Sequence, residues 1–285
     1  MTAESSSPGS SGADPRPLSG ARKKALRDAG SRAGRERRGV YLLEGPKAIE
    51  DALGRGVEIG WIVASDRGAP DVERWAEAGL LPPSLELYRA TPDEMAELSD
   101  TVTPQGVLAV GEIPSRHLDD LPDLPEDLGR VVLLVDGVQD PGNLGTLLRT
   151  LAAAGGRLAI CVKGTVDPYN PKALRGAAGA TFGLAIAYGV ERGAAVEWCA
   201  ARGIAIVSLE AGGPNLFGAS LPEPPLELAV GGEGAGLSIE ILDRSAVMVG
   251  LPMESGVESL SAAVAGSIAL YALAHDLAPG KGRRS

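Results

Sequence analysis

From Val40 onward the chain alternates short apolar runs with amphipathic stretches, the pattern of an α/β fold. VYLLEG, IGWIVAS, LELYRA and GVLAVGEI read as strands, with AIEDALGRG, VERWAEAG and TPDEMAELSD as the helices between them. They predict a small α/β domain over residues 38–112. SRHLDDLPDLPEDLGR, rich in Pro and Asp, marks a linker over 113–129. From residue 130 the alternation resumes. VVLLVD is apolar almost without a break, as expected of a strand buried on both faces of a parallel sheet. RLAICV, IAIVSL, LELAVG and AVMVGLP follow as strands, and GNLGTLLRTLAAAGG, PKALRGAAG, AVEWCAARG and SLSAAVAGSIALYALAHDL as helices. This second domain, with a mostly parallel sheet, is expected over 130–277, leaving 278–285 as a tail.

The first 20 residues are rich in Ser, Gly and Pro and read as disordered. Residues 1–37 are therefore expected to form a flexible arm. MTAESSSPGSSGADPRP contains no apolar core of the kind a secretory signal needs. The longest apolar run, Leu260 to Leu273, is shorter than the roughly 20 residues that span a bilayer. A soluble cytoplasmic protein is the expectation.

Charge changes this picture locally. The 285 residues carry a net charge of −10, but residues 1–40 hold nine Lys/Arg against four Asp/Glu. Arg22, Lys23, Lys24, Arg27, Arg35, Arg37 and Arg38 are candidate phosphate contacts for a nucleic acid, with a solvated basic tail as the plain alternative. Aromatic residues make up only 4%, which argues against recognition by stacked bases. Two histidines and two cysteines (Cys161 and Cys199) build no zinc site, and no metal is expected. Both cysteines lie in apolar surroundings and read as core residues of a protein kept in a reducing compartment.

Three turns follow strands directly, where open parallel sheets bind their ligands. DGVQDPGNLGTLLRT opens a helix and sets Arg149 about two turns in. On its own, turn chemistry favours a structural βα turn with an exposed helix arginine. AVGGEGAGLS places Glu233 among glycines that permit close approach to a ligand. Its GxGxG spacing departs from the dinucleotide fingerprint, and a helix-capping carboxylate is the bland role. VGLPMESGVESLSAAVAG leads into the last helix, with Ser259 as a simple N-cap in the structural reading.

Taken together, in this order, the three turns resemble the SpoU/TrmH family of RNA 2′-O-ribose methyltransferases. Asn143, Gly145 and Arg149 match its first motif. Gly231, Glu233 and Gly236 match the second; Pro252, Met253, Ser259 and Leu260 match the third. DPYNPKALRGAAGATF, residues 167–182, resembles a further family segment and adds Lys172 and Arg175 to the RNA-contact candidates. YLLEGPKAIEDAL and the Thr-Pro-Gln-Gly-Val strand, Thr103 to Val107, resemble the family's small L30e-like substrate-binding domain. The family's third motif normally ends in Asn, where this chain has Ser261.

The resemblance implies a C-terminal trefoil knot of the SPOUT type that binds S-adenosylmethionine, and a homodimer formed through the last helix. Leu209, Gly231, Gly232, Leu251, Met253 and Leu260 would hold the cofactor. Arg149, Asn143, Glu233, Ser259 and Ser261 would serve catalysis, Arg149 acting across the dimer. An arginine side chain, with a reference pKa of about 12.5 or higher, is a poor general base. Stabilising a developing alkoxide and clamping a phosphate suit it better. The implied substrate is a ribose 2′-hydroxyl of rRNA or tRNA, 23S rRNA being favoured. Two other readings stay open: a knotted RNA-binding or assembly factor impaired by Ser261, and a small-molecule methyltransferase of the same fold.

Overall fold

The computed structural model describes residues 15–114, 117–122, 131–254 and 259–276. In chain order the first half runs β1 (Arg16–Pro17), α1 (Gly20–Gly30), α2 (Arg32–Arg38), β2 (Val40–Glu44), α3 (Pro46–Gly54) and β3 (Ile59–Ala64). It continues with α4 (Ala69–Glu77), β4 (Glu86–Arg89), α5 (Pro92–Leu98) and β5 (Val107–Glu112). These strands form a mixed sheet in the order β1-β4-β3-β5-β2. The second half runs β6 (Val131–Asp136), α6 (Pro141–Ala153), β7 (Leu158–Val162), α7 (Pro171–Ala177), β8 (Ala185–Val190) and α8 (Arg192–Ala201). It ends with β9 (Ala205–Leu209), β10 (Leu226–Gly231), α9 (Ile239–Leu242), β11 (Ser245–Val249) and α10 (Ala262–Asp276). Its six strands are all parallel, in the order β11-β9-β10-β6-β7-β8.

The apolar runs explain the middle of this sheet. Every residue of β6 is buried, and so are Leu226 to Val230 of β10, because helices cover both faces. Strand β8 is not among the strands read from the sequence. AIAYGV lies at the sheet edge with only Ile186 and Ala187 buried, so its apolar pattern is short, and Gly189 interrupts it.

The expected flexible arm over residues 1–37 needs correction from Gly20 onward, and residues 1–14 lie outside the described residues. Leu26 and Ala29 of α1 are fully buried and pack with Leu18, Trp61 and Tyr88. Ser19 and Ser31 cap the two helices. The density of basic residues masked a weak apolar stripe that folds onto the first sheet. This unit therefore begins near Arg16, before the expected residue 38. Within the expected linker, Leu118 and Leu121 pack against the second sheet, and 115–116 and 123–130 lie outside the described residues.

One apolar cluster is shared by the two units. Tyr41 of β2 stacks on Tyr169 at 5.8 Å between ring centroids and lies 5.3 Å from Phe182, while Tyr169 meets Tyr188 at 5.7 Å. Beside it, Arg35, 2% exposed, pairs with Asp167 at 2.6 Å and also donates to Gly30 O at 2.9 Å. Arg175 of α7 reaches Asp100 at 3.0 Å and the buried Glu44 at 3.6 Å.

Glu227 lies fully buried in β10 and accepts a hydrogen bond from Cys199 Sγ at 2.9 Å. Burial pushes its carboxyl up from an ordinary 4.5 to about 8. The folded chain thus keeps a proton that the unfolded chain has released across this window, so stability is full below pH 4.5 and falls as pH rises toward 8. Glu227→Gln should match the parent near pH 4.5 and melt at a higher temperature at pH 8. Melting curves across that range check this, and a gap that fails to widen with pH would refute it.

Candidate functional site

A cleft of about 560 Å³ opens at the carboxyl ends of β9, β10 and β11. Its lining includes Leu209, Gly231, Gly232, Leu251, Met253 and Leu260, the six residues expected to hold a cofactor, together with Glu233, Ser259 and Ser261. The volume lies within the roughly 300–1,000 Å³ of small-molecule sites.

Close backbone packing shapes the cleft. A β-carbon on Gly232 would stand 2.2 Å from Gly137 O, and one on Gly231 would stand 2.3 Å from the Gly236 carbonyl carbon. Without side chains the turn closes on itself: Gly232 N donates to Asp136 O at 2.8 Å and Gly236 N to Gly232 O at 3.0 Å. The loops after β9 and β11 are tied together in the same way. Glu210 N donates to Val249 O at 2.9 Å, Gly250 N to Pro214 O at 2.7 Å and Leu216 N to Gly250 O at 2.9 Å.

The third wall is the start of α10. Ser261 Oγ accepts from Val264 N at 3.3 Å, and its carbonyl from Ala265 N at 2.9 Å, so Ser261 is the N-cap. This corrects the plain capping role expected for Ser259, which lines the cleft two residues before the cap. Ser and Asn rank alike as caps. Ser261 therefore starts the helix as the family's Asn would.

Asp140 caps α6 by accepting from Asn143 N at 2.8 Å, which holds Asn143 at the first turn. The Asn143 side-chain amide donates to Glu233 Oε1, joining the first motif to the second at the cleft. Gly145 has a packing role, since a β-carbon there would lie 2.4 Å from Ala173 O of α7. Arg149 is not brought to the cleft of its own chain. It is exposed on α6, next to Thr150, whose hydroxyl lies 2.8 Å from Ser267 Oγ on α10.

Two further carboxylates are not among the site residues read from the sequence, although Asp136 begins the first of the three turns. Glu210 lines the cleft and accepts from Leu237 N at 3.3 Å. Asp136, 2% exposed, accepts from Arg192 Nη2 and Ser238 N, both at 2.8 Å, and so anchors the loop after β10. Each ends or directly follows an apolar strand, and that position at the ligand-binding end of a parallel sheet is the signal that marks them. With Glu210 and Glu233 and no Lys or Arg among the described residues of its lining, the cleft favours a cationic ligand.

The basic candidates fare differently. Arg35 is spent on its buried pair with Asp167 and is not open to a phosphate. Arg22 pairs with Glu86, Lys23 with Glu94, Arg27 with Glu97, Arg37 and Arg38 with Asp28, and Arg175 with Asp100 and Glu44. Arg22 also lies 4.9 Å from the Trp61 ring centroid and 5.0 Å from that of Tyr88. Lys24 and Lys172 are exposed, with no carboxylate partner among the described residues.

An open parallel sheet, a glycine-walled cleft at its strand ends and an apolar lining with carboxylates at its edge make an α/β fold with a site suited to a small cationic ligand. The SpoU rRNA Methylase family model matches residues 130–271, and an MRM3-like substrate binding domain model matches 22–109. The chain is 32% identical to the 23S rRNA (guanosine(2553)-2′-O)-methyltransferase RlmP of Bacillus subtilis over 84% of this chain and 90% of that one. It is also 32% identical to a 23S rRNA (uridine(2479)-2′-O)-methyltransferase of Streptomyces viridochromogenes, covering 85% of each. Among solved structures, the SpoU methyltransferase AviRb of that organism, in complex with AdoMet, superposes with a TM-score of 0.77 at 28% identity, covering 90% and 98% of the two chains. An AdoMet-bound rRNA methyltransferase from Sinorhizobium meliloti gives 0.79 at 26%, covering 92% and 97%. The chain belongs to the SpoU rRNA methylase family. Its cofactor is S-adenosylmethionine, and its reaction is RNA 2′-O-methylation.

The cleft suits that cofactor. Leu209, Leu251, Met253 and Leu260 offer apolar contact for a base, bare backbone at Gly231 and Gly232 admits close approach, and Glu210 and Glu233 suit a sulfonium charge. Gly232→Ala should abolish S-adenosylmethionine binding in calorimetry while leaving the circular dichroism spectrum intact. Retained affinity would show that the turn at Gly137 yields and does not shape the site.

Proposed function

We propose that the protein methylates a ribose 2′-hydroxyl of ribosomal RNA, 23S rRNA in first place, as a cytoplasmic knotted homodimer. The observation that carries this reading is the Asn143–Glu233 hydrogen bond, which links the first motif to the cofactor cleft. The names of the two 23S rRNA relatives support the choice of RNA. The ties between the loops after β9 and β11 are consistent with the knot. Free, buried Cys161 and Cys199 fit a reducing compartment.

The cofactor supplies an electrophilic methyl group when bound; the chain must position the attacking oxygen and stabilise its charge. Glu233, held by Asn143, orients the incoming ribose at the cleft mouth. Ser259 and Ser261 shape the space beside it. Arg149 stabilises the developing oxyanion and the adjacent phosphate, which for a preorganised donor is worth about 10²–10³ in rate.

Arg149 meets the cleft through a second copy of the chain in this reading. Ile268 and Tyr271 of α10 are 37% and 42% exposed and Phe217 is 60% exposed, forming an apolar face beside Ser267 and Thr150. A partner copy covering this face brings its Arg149 within reach of the other cleft.

The test is methyl transfer from labelled S-adenosylmethionine to 23S rRNA, with the product mapped as a 2′-O-methyl group. Arg149→Ala should lower the rate by about 10²–10³ and leave cofactor affinity unchanged. Mixing inactive Arg149→Ala and Gly232→Ala chains should restore part of the activity, because one hybrid site keeps both functional halves. No recovery in mixed dimers confirmed by mass would overturn the shared site.

A further inference from the structure

The ion-pair pattern leaves two arginines over one point of the surface, on the seam between the two units. Arg55 follows the last residue of α3, and Arg157 immediately precedes β7. A β-carbon on Gly183 would lie 3.1 Å from Arg55 Nη1 and 3.9 Å from Arg157 Nη1. Both side chains belong to exposed residues, and neither pairs with a carboxylate among the described residues. The neighbouring carboxylate, Asp51, which abuts Gly179, is taken by Lys47 at 2.6 Å.

Two guanidinium groups converging without a counter-charge repel each other, and an anion placed between them relieves that repulsion. The planar fork of each guanidinium matches the oxygens of a phosphate. Several other cations of the first unit are held by carboxylates, among them Arg22, Lys23, Arg27, Arg35, Arg37 and Arg38. Lys24, Arg149 and Lys172 are exposed with no carboxylate partner among the described residues, but each stands on a separate helix. Arg55 and Arg157 differ in converging on one point of the seam.

We propose that Arg55 and Arg157 form a clamp for a backbone phosphate of the RNA substrate, with one jaw on each unit. The clamp rests on the RNA reading above. Ala185 N at the start of β8 donates to Arg157 O at 2.8 Å, which fixes the clamp at the amino ends of β7 and β8. The cofactor cleft lies at the carboxyl ends of the sheet. The five residues of β7 put about 17 Å between those ends. The phosphate held here is thus remote from the reacting ribose, and the clamp acts on RNA binding and register, not on the chemical step.

The test uses the full chain, a 23S rRNA transcript and a salt titration of binding. The Arg55→Gln/Arg157→Gln double variant should lower the magnitude of the salt slope by about 1, raise KM for RNA and leave kcat and S-adenosylmethionine affinity unchanged. The Arg55→Lys/Arg157→Lys variant should keep most of the slope, since it keeps the charge. If the Gln variant binds the transcript with the parent's slope and affinity, the clamp is wrong. If the Lys variant loses as much as the Gln variant, the pair has a structural role and the clamp is again wrong. If the parent itself binds the transcript without salt dependence, the RNA reading fails first and takes the clamp with it.

Discussion

Backbone lying directly against backbone at the carboxyl end of the second sheet is the constraint on which the site depends. Gly231 and Gly232 leave no room for a β-carbon against Gly236 and Gly137, and the loops after β9 and β11 hydrogen-bond to each other. Polar main-chain groups buried in such a place need partners, and these loops supply them mutually. The result is a cleft in which the loops after β9, β10 and β11 are tied down by main-chain hydrogen bonds. Leu209, Leu251, Met253 and Leu260 add apolar side chains to its walls, and Glu210, Glu233 and Ser259 set the charge and polarity. The buried strands behind the cleft, β6 and β10, serve to hold these loops in register.

Charge is allocated with similar economy. The first 40 residues have a basic excess, yet in the folded chain most of those cations answer carboxylates on neighbouring elements. Exposed pairs of this kind contribute at most about 1 kcal/mol each. Arg35–Asp167 differs because it is buried and tied to backbone carbonyls, and losing one partner would strand the other charge at the joint between the units. Basic residues that read as an arm for gripping RNA are thus largely part of the internal structure. An acidic protein that handles a polyanion does so with a few local cations left free, and long-range repulsion from the rest of its surface then sharpens selection for RNA that fits them.

Much of the second half was legible in the sequence because continuous apolar runs and glycine-rich turns carry strong signals. VVLLVD and LELAVG became β6 and β10, and the six residues expected to hold the cofactor line one cleft. Strand β8 was not legible because an edge strand buries little and AIAYGV is broken by Gly189. Helices α1 and α2 were hidden because only Leu26 and Ala29 show an apolar stripe among charges that dominate the composition. Arg149 posed a different problem. The first motif sets it on α6, and its periodicity tells nothing of which cleft it faces. Arg55 and Arg157 are 102 residues apart in the chain and carry no motif, so only the folded seam reveals their convergence.

The Ser261 departure can be weighed from the cap it forms. Ser and Asn stabilise a helix start to a similar degree, so the replacement leaves the fold of α10 and the shape of that wall in place. What changes is chemistry. A serine hydroxyl already engaged by Val264 N has one proton left to give, whereas an amide in the same role keeps two donors free. The difference bears on whatever lies in the cleft beside residue 261 and not on folding. The carboxylate of Glu233, positioned independently by Asn143, is untouched by it. The cleft thus keeps its walls, its cap and its oriented carboxylate, and the cost of Ser261 is confined to the one donor fewer that residue 261 presents to the cleft.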